Sequence, residues 1–297
     1  MLLGQRYKNL HFKQEEGTKK TTFARSIVFM DKLRFLSLGS GSSGNCYYFG
    51  NALQGILIDA GIGSRTIRKE LRQIGVDFSQ ILGIFITHDH HDHIKSVGTL
   101  GEKFNIPVYA TAKTHNGMDH SYGMTQKLST SRKYLENNVE FEIGEFKILS
   151  FPVSHDGTDN AGFFIRYREH GILVATDLGF VNDSLKEYIA KANIAIVEAN
   201  YDHEMLQGGR YPYYLKERIL SDTGHLSNHD AGAFLAEHWH SKLKHIYLCH
   251  LSNDNNHPEL AKKTIEAYFD SKGIQPGVDV AIMPLKRSLS ELVVFEH

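Results

Sequence analysis

From Leu33 onward the chain alternates short apolar runs with polar turns. LRFLSL (33–38), CYYFG (46–50) and GILIDA (55–60) read as three strands broken by Gly, Ser and Asn turns. LGIFIT (82–87) is a continuous apolar run, the pattern of a strand buried on both faces. IPVYA (106–110) predicts the next strand. Helices are expected over Ser64–Ile74, with Ser64 as its cap, and over His93–Phe104. Residues 111–138 are polar and predict no element. Four strands follow at close spacing, VEFEIG (139–144), FKILSFPV (146–153), AGFFIRY (161–167) and GILVATD (171–177), and these predict a second sheet. Asn182–Lys191 reads as a helix, IAIVEAN (194–200) as a strand and HIYLCH (245–250) as another. Ser227–His240 predicts a helix whose Ser227 and Asp230 make a start like a capping box. Pro258 suits the first turn of a helix to about Ser271, and DVAIMP (279–284) and LSELVVF (289–295) close the pattern. Mixed strands with interspersed helices and no linker predict one α/β domain over 30–297, of two sheets covered by helices. No internal repeat is visible by eye.

Residues 1–29 differ from the rest. Arg6, Lys8, Lys13, Lys19, Lys20 and Arg25 face only Glu15 and Glu16, so this basic extension carries +4 and leaves -5 elsewhere. It shows no sustained apolar period. Three readings compete, a mis-assigned start with the true one at Met30, a disordered basic arm and an ordered extension, and they are favoured in that order. Overall, 33 Lys+Arg against 34 Asp+Glu give a net charge of -1, which excludes a histone-like partner of nucleic acid. With 41% hydrophobic and 23% charged residues the composition is globular. Two cysteines, Cys46 and Cys249, exclude a disulfide scaffold. No apolar run spans a bilayer and no signal-peptide pattern opens the chain, so the expectation is a cytoplasmic protein without a membrane partner. Oligomeric state stays open.

The departure is histidine: 18 residues, four of them between 88 and 93. Thr87-His88-Asp89-His90-His91-Asp92-His93 follows the buried strand and opens a helix. Imidazoles two apart at 88 and 90 can converge on one ion, and Asp92 with His93 can hold a second. Imidazole and carboxylate suit zinc, manganese or iron. The loop Ser40-Gly41-Ser42-Ser43-Gly44-Asn45 offers backbone N–H groups and small hydroxyls to a phosphate, but lacks the P-loop pattern. Arg210, Lys216 and Arg218, interleaved with Tyr211, Tyr213 and Tyr214, could hold a nucleic-acid backbone and stack a base. Asn253, Asn255 and Asn256 could contact phosphate or order their loop.

The HxHxDH motif resembles the metallo-β-lactamase fold. That resemblance implies an αββα four-layer sandwich of two mixed sheets flanked by helices, with two divalent metal ions at one edge. Residue by residue, it implies His88, His90 and His155 for one metal, Asp92, His93 and His250 for the other, and Asp177 as the bridge. Asp59 in LIDAG would support the histidine loop. No cysteine stands at a ligand position; Cys249, beside His250, is expected to point away and pack. The Asp177–His250 interval is too short for the inserted domain of the β-CASP nucleases, and no long Gly/Pro-rich arm separates His93 from His155.

Three segments, LGSGSSGN (38–45), EANYDHEMLQGGRYPYYLKERILSDTGHLSNH (198–229) and HLSNDNN (250–256), look like the YycJ (WalJ/VicX) group. This implies a metal-dependent exonuclease acting on duplex DNA from 5′ ends, with a role in mismatch repair. Its chemistry would be attack on phosphorus by a metal-bridged hydroxide, with Asp92 essential. His225 in GHLSN resembles the histidine that assists the leaving oxygen in the tRNA 3′-processing ribonucleases of this fold. Ser42, Ser43, Asn45, Arg210 and Asn253 are the expected substrate contacts. The same ligands would serve a cyclic phosphodiesterase, thioesterase or lactonase, or a non-catalytic metal-binding regulator.

Overall fold

The computed structural model describes residues 31–124 and 126–296. The expectations for residues 1–29 lie outside them. One sheet has the order β14-β1-β2-β3-β4-β5-β6 and the other β13-β12-β11-β10-β9-β8-β7. In the first, β1 (Arg34–Gly39), β2 (Cys46–Gly50) and β3 (Gly55–Ile58) pair antiparallel. β4 (Ile81–Phe85), β5 (Val108–Ala110) and β6 (Arg132–Tyr134) then add in parallel. β14 (Val293–Val294) closes the edge beside β1. The second sheet repeats the plan. β7 (Glu140–Ile143) is its edge, β8 (Phe146–Pro152), β9 (Ala161–Tyr167) and β10 (His170–Ala175) pair antiparallel, and β11 (Ile194–Glu198), β12 (His245–Cys249) and β13 (Ala281–Pro284) follow in parallel. The chain therefore contains two copies of one topology, which the sequence did not reveal.

The apolar runs explain the layering. Alternate side chains of both sheets meet in an inner core that includes Phe35, Phe49, Phe85, Phe163, Ile172, Ile196, Tyr247 and Cys249. Cys249 thus packs between the sheets, facing away from the rim as the alternation requires. The opposite faces are covered by helices. α1 (Ser64–Gln73), α2 (His91–Ile94), α3 (Val97–Phe104) and α4 (Ala112–His120) lie on the first sheet's side, where Ile67, Leu71, Ile94, Leu100 and Met118 pack on Leu36, Leu57 and Ile84. α5 (Asp183–Ile189), α8 (Asn228–Glu237) and α9 (Pro258–Ser271) cover the second through Leu185, Leu235 and Ile265. α6 (His203–Gly208) and α7 (Tyr213–Leu220) form a small satellite with Tyr201. This is the expected αββα sandwich of two mixed sheets.

Several local expectations change. Gly63, not Ser64, occupies the α1 cap, with no side-chain hydrogen bond. The helix expected over 93–104 is two, because the Ser96 N–H turns to the Ala60 carbonyl at 2.9 Å and its hydroxyl to the Ile62 carbonyl. Residues 111–138 are not unstructured: Thr111 caps α4 by accepting from the Thr114 N–H, and β6 pairs with β5. The last strand shrinks to two residues. Ser227 does cap α8, accepting from the Asp230 N–H at 3.0 Å.

Candidate metal centre

The antiparallel steps make β1 and β3 run the same way as parallel β4, and β8 the same way as β10, β11 and β12. The carboxyl ends of these strands therefore share one rim, where open α/β sheets place ligands. Asp59 follows β3, the His88–His93 loop follows β4, and His155 and Asp177 follow β8 and β10. Glu198 ends β11, and His250 follows β12. Asp59 and His250 hold positive φ, 58° and 53°, at these sharp strand exits.

The histidine loop is clamped from below. The Asn45 N–H donates to the Asp92 carbonyl at 2.7 Å, and the Ala60 N–H to that of His93 at 2.8 Å. Gly61 permits this approach, since a Cβ there would stand 1.6 Å from the Asp92 carbonyl oxygen. Asp59, fully buried, accepts the Thr87 N–H at 2.9 Å and its hydroxyl at 2.8 Å, and holds His93 Nδ1 at 2.7 Å. This directs His93 Nε2 to the rim. Burial lifts the Asp59 carboxyl, against the pull of His93.

Three donor groups result, each with its ligand atoms within 4.8 Å of one another: His88, His90 and His155; Asp92, His93 and His250; and His88, His93 and Asp177. Asp177 thus stands between the two triads. A fourth group joins Asp177 and His250 to Glu198 and His225. The Gly224 carbonyl accepts His155 Nδ1–H at 2.8 Å and frees its Nε2 for the rim. His88 Nε2 and Asp177 Oδ2 are buried with no hydrogen-bond partner. Orphaned buried donors and acceptors are costly, and a divalent cation would satisfy these. Imidazole nitrogen with carboxylate oxygen suits such an ion. Burial works to raise the Asp177 carboxyl, but His250, His93, His88 and His155 hold it well below the usual range. Burial and the neighbouring imidazoles push His88 well down, the neutral form that binds metal.

Glu198 is the residue that sequence reasoning missed. It is fully buried, with Oε2 accepting the Leu178 N–H at 2.8 Å and the Leu226 N–H at 3.1 Å. Oε1 accepts His225 Nδ1–H at 2.8 Å and faces His250 Nδ1 at 3.0 Å. The available signal was an acid ending the apolar run IAIVE, where only a partnered carboxylate can be buried. His225 comes in from the α7–α8 loop, 3.8 Å from Asp177.

The expected substrate contacts separate. Ser42 and Ser43 are exposed in the loop after β1, and Ser42 accepts a 3.4 Å hydrogen bond from Arg287. Asn45 is instead fully buried; its amide bonds Gly41 and lies 2.9 Å from His93 Nε2. Arg210 and Asn253 are exposed and, among the described residues, make no hydrogen bond or ion pair with the cluster. Arg218 does reach the rim: it forks onto Asp156, which faces His90 Nε2 at 3.4 Å. Asn256 is buried and spends its amide on Ala199, Asn200 and Asn228, ordering its loop.

Residues 54–250 match the β-lactamase superfamily domain. The chain belongs to the metallo-β-lactamase superfamily. It is 38% identical over 246 residues to the exodeoxyribonuclease YycJ of Bacillus anthracis, covering 82% of this chain and 92% of that one. It is 34% identical over 249 residues to the exodeoxyribonuclease WalJ of Streptococcus pneumoniae serotype 2, covering 84% and 93%. The metallo-β-lactamase-fold protein YhfI of Bacillus subtilis shares the fold, with a TM-score of 0.66 at 17% identity over 89% of this chain and all of that one. Within the superfamily the chain is a metal-dependent hydrolase. No helix among the described residues is long and apolar enough to cross a membrane.

Proposed function

We propose that this metallo-hydrolase is a dinuclear phosphodiesterase that removes nucleotides from the ends of duplex DNA in the cytoplasm. The observation that carries the reading is the pair of three-residue donor groups sharing buried Asp177, in a chain akin to named exodeoxyribonucleases. His88, His90 and His155 would hold one ion, Asp92, His93 and His250 the other, and Asp177 both. When bound, a pair of divalent ions supplies Lewis acidity for the phosphoryl group and makes water a nucleophile at neutral pH. Asp59 and the Gly224 carbonyl fix the tautomers of His93 and His155, so each presents Nε2 to the rim. Glu198 anchors His225 through Nδ1, which leaves Nε2 free to face and assist the leaving oxygen. Arg218, aimed by Asp156, places a cation beside the phosphate path. Exposed Tyr213 and Tyr214 offer rings to an unpaired base. The near-neutral net charge is consistent with this reading, because metal dications offset the acidic ligands locally.

The test is turnover of 5′-phosphorylated duplex DNA, a thioester and a cyclic nucleotide by protein loaded with manganese or zinc. Nucleotide release from DNA, abolished in a pure Asp92→Ala sample, supports the proposal. DNA that survives while the thioester or cyclic nucleotide is cleaved refutes it. Unchanged DNA turnover by Asp92→Ala would mark a contaminating nuclease.

A further inference from the structure

A cavity of about 440 Å³ opens on the far side of His225, and the reading above makes no use of it. His225 is its wall toward the metal centre; Phe180, Leu220, Phe234 and Tyr201 form much of the rest. The volume falls within the ~300–1,000 Å³ range of small-molecule sites.

Three features define an occupant. First, Phe180 is 46% exposed, the one phenylalanine among the large apolar side chains left open in the described residues. It stands three positions after Asp177 on a backbone that cannot drift. The Gly179 N–H donates to the Ser154 carbonyl at 2.7 Å, and a Cβ on Gly179 would meet the Asp222 carbonyl at 1.9 Å. An exposed ring lining an open cavity leaves apolar area in water that a flat ligand would cover. Second, the rim is acidic. Asp222, Asp230 and Glu237 face a single lysine, Lys186, which is itself paired with Asp183 at 3.0 Å. Such a rim repels phosphate but accepts hydrogen bonds from ring N–H and amino groups. Third, the phosphate-binding side lies across His225, whose ring is 5.0 Å from that of His155 and 5.3 Å from that of His250. A nucleotide spans that division: its charge on one side of His225, its neutral ring on the other.

We propose that this cavity receives the nucleobase of the nucleotide adjoining the scissile phosphate, stacked on Phe180. The placement of the phosphate rests on the phosphodiesterase reading; the binding of a base does not. The first measurement therefore needs no turnover. Deoxyadenosine and deoxycytidine are titrated into the metal-loaded protein by saturation-transfer NMR. Binding is expected. It should weaken on the order of 10-fold in Phe180→Ala, the scale of stacking one base. It should vanish in Ala233→Trp, which fills the cavity from α8. No nucleoside binding, or binding indifferent to both variants, overturns the proposal. The second measurement compares an ordinary duplex with one whose terminal nucleotide is abasic. Phe180→Ala should raise KM on the order of 10-fold on the first and leave it unchanged on the second. An equal rise on both overturns the cavity assignment while the nuclease reading stands. Nucleoside binding weakened in Phe180→Ala and lost in Ala233→Trp, without any turnover of DNA, upholds the cavity and sinks the nuclease reading.

Discussion

Glu198→Gln keeps the shape of the side chain and changes only what its two ends can do. In the native chain one oxygen takes two backbone N–H groups; the other accepts from the Asn200 side-chain amide and faces two imidazole Nδ1 atoms. A glutamine has one oxygen to share between these sites. If its amide nitrogen turns toward Leu178 and Leu226, two buried N–H donors are orphaned and the NH2 group meets donors. If it turns toward the histidines, their Nδ1 atoms must become acceptors. His250 would then carry its proton on Nε2, the nitrogen that faces Asp92 and the proposed ion. Each orphaned buried donor costs ~1–3 kcal/mol, so the first arrangement loses about 2–6 kcal/mol from a typical ~5–15. The second trades that loss for metal affinity, which falls ~10–100-fold when a ligand's partner is removed. The variant must show one or the other. Urea unfolding of metal-free protein measures the first, and zinc titration against a competing chelator measures the second. A variant with unchanged unfolding midpoint and unchanged zinc affinity would show that Glu198 is not the hinge of this network.

His225→Ala should lower DNA turnover by 100-fold or more, on the order of a lost general acid, while leaving metal content unchanged; loss of metal would recast it as a ligand. Arg218→Ala should raise KM for DNA and reduce the salt dependence of binding by about one phosphate contact, measured by titration across 50–200 mM salt. Gly61→Ala forces the Asp92 carbonyl away from a Cβ otherwise 1.6 Å distant, so retention of metal after dialysis should fall together with thermal stability. The pH response follows from His93: burial works to lower its pKa, but Asp177, Asp59 and Asp92 raise it to about 9, above the ordinary ~6.5. The stability it lends the metal-free fold is complete below pH ~6.5 and lost as pH rises through 9. Metal displaces that proton, so apparent metal affinity should climb over the same window, and a flat titration from pH 6.5 to 9 would contradict the assignment.

The strands and the fold class were legible because burial on both faces leaves long apolar runs such as LGIFIT, whose observed strand is buried almost throughout. The HxHxDH loop was legible because its chemistry is contiguous. What escaped is local or indirect. α4, α6 and α7 are short and polar, and are held by caps at Thr111 and Asp202 and by packing rather than by an apolar period. Asn45 looked like a substrate contact because it sits in a Gly/Ser loop. Only the fold brings its amide to His93 across 48 positions. Glu198 is one acid among 34 acidic residues, and its partners arrive from Leu178, Asn200, His225, Leu226 and His250.

The repeated topology accounts for where these groups stand. Aligning the halves strand by strand sets β3 against β10 and β4 against β11, so Asp59 and Asp177 stand just beyond equivalent strands, as the histidine loop stands just beyond β4 and Glu198 ends β11. Each half thus puts an acid just beyond its third antiparallel strand, at the same rim. The two acids have diverged in what they face. Asp59 is closed off by Thr87 and His93, with both of its oxygens already hydrogen-bonded. Asp177 keeps Oδ2 without a hydrogen-bond partner among four histidines. One half therefore contributes a carboxylate that positions a ligand, and the other a carboxylate free to be one. The resemblance assigned these two roles to LIDAG and VATDLG, and the physical cause of the difference lies in the neighbours of the two aspartates, Thr87 and His93 for one and the four histidines for the other.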